Sequence, residues 1–225
     1  MSNLQRLLVI ASLAFLTTGM AGSLMDELSD KTVAQLLDLL ESPNSRMRIG
    51  AAASIEYRYL KPGRIQINPP TYKEQRPEFP LPPQVVPRLA DHLKWDWDYR
   101  VRIEAARALC ALRSCTNTTP FVVRGLDDTN SYVRVWTCNA LIDISRDYRE
   151  CIGTRVIPTL KECLGVDNPE EPTWIAAWIS GQLGDAGQLV LPELKSLAKY
   201  HKSSKVRHYA REAMKAIERK KRSAG

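Results

Sequence analysis

The sequence predicts an all-α fold, an α-solenoid of about five helical hairpins. A pair reading Met-Arg or Val-Arg recurs four times, at Met47-Arg48, Val101-Arg102, Val133-Arg134 and Val206-Arg207. A fifth, divergent copy starts near Thr173. Small or apolar residues follow each start at offsets of three, six, seven and ten, which trace one stripe of an α-helix. The copies are 54, 32, 39 and 34 residues apart, and the last three steps fit a two-helix repeat.

Each stripe predicts the second, inner helix of one hairpin. In the second copy the stripe consists of Ala105, Ala108, Leu109 and Leu112. In the first copy the offset of ten falls on Arg58, so we expect the last turn of that helix to be frayed or exposed.

An amphipathic segment before each stripe predicts the first, outer helix of the same hairpin. These segments lie at roughly 30–41, 84–94, 119–126, 155–164 and 186–200. The turns between outer and inner helices carry residues that stop and cap helices, as in Ser42-Pro43-Asn44-Ser45 and Asp96-Trp97-Asp98. The glycines at 181, 184 and 187 follow no strand, so we interpret them as helix ends and tight packing.

Two segments carry a resemblance to a known family. Residues 98–102 read Asp-Tyr-Arg-Val-Arg and residues 105–109 read Ala-Ala-Arg-Ala-Leu. Both resemble HEAT-like repeats, in particular the short subtype of phycobilin lyases and many bacterial scaffold proteins. The link 181–187, Gly-Gln-Leu-Gly-Asp-Ala-Gly, is similar to the connection between repeats of that subtype. The resemblance covers about residues 30–220, and it implies the fold more than the function, because this fold has many functions.

The N-terminus predicts export. Arg6 is the only charge in the first 25 residues, and an apolar run from Leu7 to Thr18 follows it. Gly19 and Ala21 are small residues at the two positions that a signal peptidase recognises before its cleavage site. We therefore expect a signal peptide at 1–21, a mature domain at 22–220 and a basic tail at 221–225. The predicted localisation is secreted or periplasmic. The alternative is an uncleaved inner-membrane anchor at 7–21, although the apolar run is shorter than the about 20 residues of a membrane span.

A proline-rich insertion interrupts the repeats at 61–83. It contains seven prolines where a linker of a few residues would suffice, and irregular insertions of this length are usually functional or disordered. Residues 77–83 favour polyproline II geometry, which protein partners can recognise. Within the insertion, Arg64 and Phe79 are candidate binding residues. The alternative is a cover folded over one edge of the second repeat.

The five cysteines lie within two repeats. Stacked hairpins would place Cys115 with Cys151 on one edge and Cys138 with Cys163 on the other, so these pairs are candidate disulfides and Cys110 is left free. The alternative is five reduced thiols packed as small apolar residues. No Cys-x-x-Cys pair is present and the three histidines are scattered, so the sequence predicts no metal site.

Arginines and tryptophans are the candidate binding residues. For the repeated arginines, Arg48, Arg102, Arg134 and Arg207, we favour a structural ladder of hydrogen bonds between repeats. The alternative is a basic groove for a polyanion, to which Arg100 and Arg107 would add. Trp95 and Trp97 lie in a turn, whereas Trp136 and Trp178 fall off the buried stripe of their inner helices. Exposed tryptophans beside arginines are typical of binding hot spots, and packing against a neighbouring repeat is the alternative.

The sequence favours a non-enzymatic scaffold that binds a protein partner. No zinc-protease, serine-hydrolase or phosphate-binding motif is present, and no cofactor is predicted. We expect the partner to contact the inner-helix face and the proline-rich insertion. One alternative is a chromophore-handling or chaperone-like subunit similar to phycobilin lyases, and another is a binder of anionic polymer or membrane surface. Export argues against a nucleic-acid partner and against the lyase-like role.

Overall fold

The fold comes from a computed structural model that describes residues 24, 27–59, 81–112, 117–144 and 151–223. Within these ranges the chain forms ten α-helices and no strand, which confirms the all-α solenoid. They pair into five consecutive hairpins, each with an outer and an inner helix. The first two hairpins are α1 (Val33–Leu40) with α2 (Ser45–Tyr59) and α3 (Val85–Trp95) with α4 (Tyr99–Ala111), on which the short α5 (Thr119–Val122) packs. In the third hairpin the 3-10 helix Val123–Asp127 packs on α6 (Ser131–Ile144), and the last two are α7 (Ile157–Cys163) with α8 (Glu170–Ser180) and α9 (Leu191–Tyr200) with α10 (Ser204–Ser223).

Three outer helices are extended by irregular helical segments. A 3-10 helix, Val123–Asp127, continues α5. A π-helix, Ile152–Val156, precedes α7, and a second 3-10 helix, Gly184–Val190, precedes α9. The predicted outer segments were therefore placed correctly, but the pattern of apolar residues did not predict these variants.

The chain divides into two compact units, which the sequence did not predict. Unit 1 is Met1–Val122 and contains α1 to α5, and unit 2 is Val123–Gly225 and contains α6 to α10. The boundary falls inside the outer helix of the third hairpin. No described helix is both long and apolar enough to span a bilayer.

In unit 1 the inner helices pack on each other along the predicted stripe. Ala105, Ala108, Leu109 and Leu112 are all fully buried, because α4 packs against both α2 and α3. The prediction for the end of α2 was wrong, since Arg58 is only 7% exposed. Its guanidinium donates hydrogen bonds to the backbone carbonyls of Ser29 and Lys31, and these bonds compensate the burial of its charge.

In unit 2 the last helix packs closely on its neighbours. Val206, Ala210 and Ile217 form the buried face of α10, which lies against α8 and α9. A Cβ at Gly187 would lie 2.7 Å from Cγ1 of Ile217, so only glycine allows this approach. Gly184 has a φ of 63°, in the left-handed region that ends helices. The interpretation of these glycines as helix ends and tight packing agrees with the structure.

Candidate functional site

Each repeated arginine binds the backbone of the turn in its own hairpin. Its Nη1 donates to the carbonyl six residues earlier, at 2.7 or 2.8 Å, in all four copies. Three of them also reach the carbonyl five residues earlier, at 2.8 to 3.2 Å. The positive charge therefore lies where the outer helix leaves carbonyls unpaired. These recurring bonds stay inside one hairpin, whereas a bond between repeats of the kind predicted occurs at Arg48, which also donates to Asp96 of the next hairpin.

Two further positions of the turn repeat with the arginine. The residue six before it accepts a hydrogen bond from the amide two residues on, and these acceptors are Ser42, Asp96, Asp128 and His201. The residue four before it caps the inner helix, and these caps are Asn44, Asp98, Asn130 and Ser203. Side chains thus satisfy the donors and acceptors that the two helix ends leave free, and the turns are held in one conformation.

The turn of the fourth hairpin lacks this network. Thr173 takes the place of the arginine, and Pro169, which has no N–H, takes the place of the cap. The carbonyl of Asn168 is instead contacted by Nε2 of His201, at 3.3 Å, from the following turn. The residue six before a repeat arginine can therefore link one turn to the preceding one.

The turn of the second hairpin, residues 94–100, makes the strongest such link. Asp96 accepts from Arg48 through two parallel bonds, Nε to Oδ2 at 2.7 Å and Nη2 to Oδ1 at 2.9 Å. The two side chains are only 2% and 6% exposed. Asp96 also accepts from the amide of Asp98, and its Oδ2 lies 3.0 Å from Nδ1 of His92. Burial alone would raise the pKa of Asp96, but the hydrogen bonds from Arg48, Asp98 and His92 hold it below its ordinary value of 3.8.

The acidic cap of the same turn neutralises a candidate binding arginine. Asp98 is buried. It accepts hydrogen bonds from the backbone amide and from Nε of Arg100, each at 3.0 Å, and from Nη2 of Arg100 at 2.7 Å. The hydrogen bond from the Arg100 side chain lowers the pKa of Asp98, and burial opposes it. Arg100 therefore lies at the surface with its charge already compensated.

Two tryptophans project from this braced turn. Trp95 is 71% exposed and Trp97 is 75% exposed. Nζ of Lys94 lies 4.3 Å from the ring centroid of Trp95, and Cζ of Arg48 lies 5.1 Å from that of Trp97. Each indole therefore has a cation over one face and leaves the other part of its apolar surface in water. We call residues 94–97 the tryptophan turn.

Comparison with known proteins assigns the fold family. Residues 86–179 match the family model of HEAT repeats. The helical hairpins over these residues are similar to HEAT repeats, in agreement with the resemblance predicted from the sequence. No curated protein matches the chain.

Two crystal structures of engineered proteins resemble this HEAT-like repeat protein over most of its length. One is 19% identical with a TM-score of 0.54, and the match covers 89% of this chain and 85% of the engineered one. The other is 21% identical with a TM-score of 0.53, covering 92% and 90%. At these identities the likeness shows the fold alone.

The remaining arginine and tryptophan candidates of the HEAT-like protein lie elsewhere. Arg107 on α4 forms salt bridges at 3.2 Å with Glu56 and with Glu104, and although burial opposes the shift, these carboxylates raise its pKa. Trp136 is half-buried, whereas Trp178 is only 6% exposed. Of the two alternatives for Trp178, exposure on a binding face or packing, the structure agrees with packing, because α8 is covered on almost every side, as its run of buried residues shows.

Two groups of predicted residues cannot be placed in this site. Arg64, Phe79 and the insertion at 61–80 lie outside the described residues, as do the signal peptide at 1–21 and Cys115. Residues 81–83 are described and lead into α3. The function expected of the insertion stays a prediction.

Cys138 and Cys163 do not form the predicted disulfide. Both are buried free thiols, so the structure lacks a bond between them. Sγ of Cys138 lies 3.9 Å from the carbonyl oxygen of Val156, and burial raises the pKa of both thiols. A raised pKa disfavours the thiolate that disulfide formation requires. Cys151 is also a free thiol, and no cluster of three metal-binding side chains occurs in the ranges described.

Sequence reasoning named both tryptophans of the turn but missed the residues that brace them. Asp96, His92 and Lys94 were not candidates, and Arg48 was assigned only a role within the repeat. One signal was available, because Asp96 occupies the position that in each turn lies six residues before the repeat arginine. Its contact with the arginine of the preceding hairpin requires the packing of one hairpin on the next.

Proposed function

We propose that this HEAT-like protein is an exported, non-enzymatic scaffold that binds a protein partner through the tryptophan turn. HEAT repeats generally mediate protein–protein interaction, which supports the class of function. The observation that carries the specific site is the exposure of Trp95 and Trp97, 71% and 75%, on a turn with a buried ion pair beneath it.

Two physical properties make this turn suited to binding. Large aromatic surfaces left in water gain free energy when a partner covers them, and tryptophan is enriched among residues that dominate interface energies. The braced backbone means that little conformational freedom is lost on binding. A partner that covers both indoles therefore gains most of its binding energy from a few residues.

The charges near the turn support a protein partner over an anionic polymer or membrane. Arg100 is paired with Asp98, and Arg107 is shared between Glu56 and Glu104. Arg100 and Arg107, which the sequence offered as part of a basic groove, are thus paired with three carboxylates, those of Asp98, Glu56 and Glu104. The charges of Arg100 and Arg107 are therefore compensated within the protein, which weakens their attraction for phosphate or sulfate groups.

Affinity capture with matched variants tests the site. The tagged wild-type chain, Trp95→Ala/Trp97→Ala and the control Leu189→Ala/Tyr200→Ala are used to capture proteins from the native host. The control removes two exposed apolar residues of unit 2, 53% and 64% exposed. We expect a partner that is lost with the tryptophan variant and kept with the control. Its Kd measured by calorimetry should rise by about 30-fold or more, equivalent to about 2 kcal/mol for a hot spot. If both variants capture the same proteins as the wild type, the tryptophan turn is not the binding site.

Export is supported by the three-part pattern of residues 1–21 and is tested separately. We expect the intact mass of the native protein to correspond to a chain that begins at Gly22. A native mass that includes residues 1–21 would contradict cleavage and would favour the anchored alternative.

A further inference from the structure

The last helix carries most of the net charge of the chain. Helix α10, Ser204–Ser223, contains eight lysines and arginines and two glutamates, a net charge of +6. The whole chain has a net charge of +7. The other residues together are therefore close to neutral, and one helix makes the protein basic.

The basic residues of α10 occupy its free face. Its apolar face is packed against α8 and α9, whereas Lys205, Arg211, Lys215 and Arg219 are exposed. Arg211, Lys215 and Arg219 are four residues apart and form one stripe, because a helix places i and i+4 on the same face. Among the described residues of this stripe, Lys215 alone is in a salt bridge, with Glu212. The hydrogen bond from Lys215 and the charges of His208 and Arg219 lower the pKa of Glu212.

The first outer helix and the residues before it carry the opposite charge. Residues 24–41 contain five acidic residues and one lysine, a net charge of −4. The exposed carboxylates among them are Glu27, Asp30, Asp38 and Glu41, and Oε1 of Glu41 also lies 3.7 Å from Nη1 of Arg88 and 3.8 Å from Nε2 of His92. The apolar residues of α1, such as Leu36 and Leu40, are fully buried, so this acidic face is also the outer face of its hairpin.

We propose that α10 of one copy binds the acidic face of α1 on a second copy, so that the chain associates head to tail. The observation behind the proposal is charge complementarity between the first and last hairpins of the chain. The acidic face consists of Asp38 of α1 together with Glu27 and Asp30 before the helix and Glu41 after it. This association is independent of the tryptophan turn.

The contact has a defined symmetry. Because the two faces differ, the interface is heterologous, and successive copies form either a ring or an open chain. Its energy comes from exposed charges, so it weakens as salt shortens the Debye length from about 30 Å at 0.01 M to about 3 Å at 1 M.

Sedimentation velocity of the purified chain at these two salt concentrations tests the proposal. We expect oligomers at about 0.01 M salt and a monomer at about 1 M. The variants Arg211→Glu/Arg219→Glu and Asp30→Lys/Asp38→Lys should each be monomeric in low salt. An equimolar mixture of these two variants should associate again as a heterodimer, because the unchanged acidic face of the first variant complements the unchanged α10 of the second.

A charge-matched control separates this interface from a general effect of net charge. Arg124→Glu/Lys195→Glu changes the net charge by the same amount at exposed positions of unit 2 outside α10, and it should associate like the wild type. Circular dichroism establishes that each variant is folded. Three results would overturn the proposal: a wild-type monomer in low salt, equal loss of association in the control, or no recovery in the mixture. A wild-type monomer whose α10 bound anionic vesicles instead would assign the helix to a membrane.

Discussion

The buried ion pair between Arg48 and Asp96 provides the most direct test of how the hairpins of unit 1 are joined. The substitution Asp96→Ala leaves the guanidinium of Arg48 in a site where the side chain is only 6% exposed. Its bonds to the carbonyls of Ser42 and Pro43 remain, at 2.8 and 3.2 Å, but both charged bonds at 2.7 and 2.9 Å are lost. Removal of one partner of a buried pair destabilises proteins by about 3–5 kcal/mol, because the other charge stays buried without compensation.

A matched substitution in unit 2 separates this effect from loss of the turn itself. Asp128 occupies the same turn position and accepts from the amide of Asn130 at 2.8 Å, and it is half-buried. We expect Asp128→Ala to cost about 0.5–1.5 kcal/mol, the net value of an ordinary hydrogen bond. The double variant Arg48→Met/Asp96→Leu removes both charges, so it should be more stable than Asp96→Ala alone.

The measurement is urea unfolding followed by tryptophan fluorescence and by far-ultraviolet circular dichroism. The free energy of unfolding comes from linear extrapolation, and the two probes report whether the units unfold together. If Asp96→Ala lowered the free energy of unfolding by no more than Asp128→Ala does, the pair would not be a buried link between hairpins.

The pair also predicts a pH dependence. The pKa of Asp96 is below its ordinary value of 3.8 in the folded state, so the folded protein binds this proton more weakly than the unfolded chain. The pair therefore stabilises the fold fully above pH 3.8, and this contribution is lost as the pH falls through the lower, folded value. The stability difference between the wild type and Asp96→Asn should narrow below pH 3.8, and a constant difference would show that Asp96 is not held in its charged form.

Further predictions concern packing and thiol chemistry. Leu109→Ala should lower the free energy of unfolding by about 2–5 kcal/mol in urea titrations, because it empties a fully buried position. Gly187→Ala should lower the melting temperature, since its Cβ would meet Ile217 at 2.7 Å, whereas Gly153→Ala, with no atom within 4 Å, should not. Cys138 should be alkylated slowly at neutral pH and rapidly in urea, as followed by peptide mass spectrometry, because burial raises its pKa and blocks access. Rapid labelling of Cys138 in the folded protein would contradict its burial.

The repeat pattern was sufficient to predict the hairpins because every copy carries the same local signals. The stripe of Ala105, Ala108 and Leu109 has helical spacing, and caps such as Asp98 lie where the inner helix begins. Each signal is local, so one copy can be compared with another without knowledge of the tertiary contacts. The π-helix and the 3-10 helices were not predicted, although each of them contains a glycine and the regular outer helices contain none.

Side-chain burial could not be read from the same pattern where a helix is covered on several faces. Trp178 lies off the stripe at an offset of five, which predicts exposure on a helix buried along one face. However, α8 buries nine of its eleven residues, from Pro172 to Ser180, so the offset of a residue from the stripe does not predict its exposure on this helix. Arg58 shows the reverse case, in which a charged residue on the stripe is buried because two backbone carbonyls accept hydrogen bonds from its guanidinium.

The candidate site shows why a repeat residue can acquire a function without losing its structural role. In the four copies that carry it, the arginine holds its own turn, and in the first copy Arg48 also binds Asp96 and lies under the ring of Trp97. The guanidinium is planar, so one face can contact an indole while its edge donates in the plane to a carboxylate and two carbonyls. The bonds that join the first two hairpins therefore also fix the position of an exposed indole. A surface built in this way is rigid because it belongs to the core of the repeat.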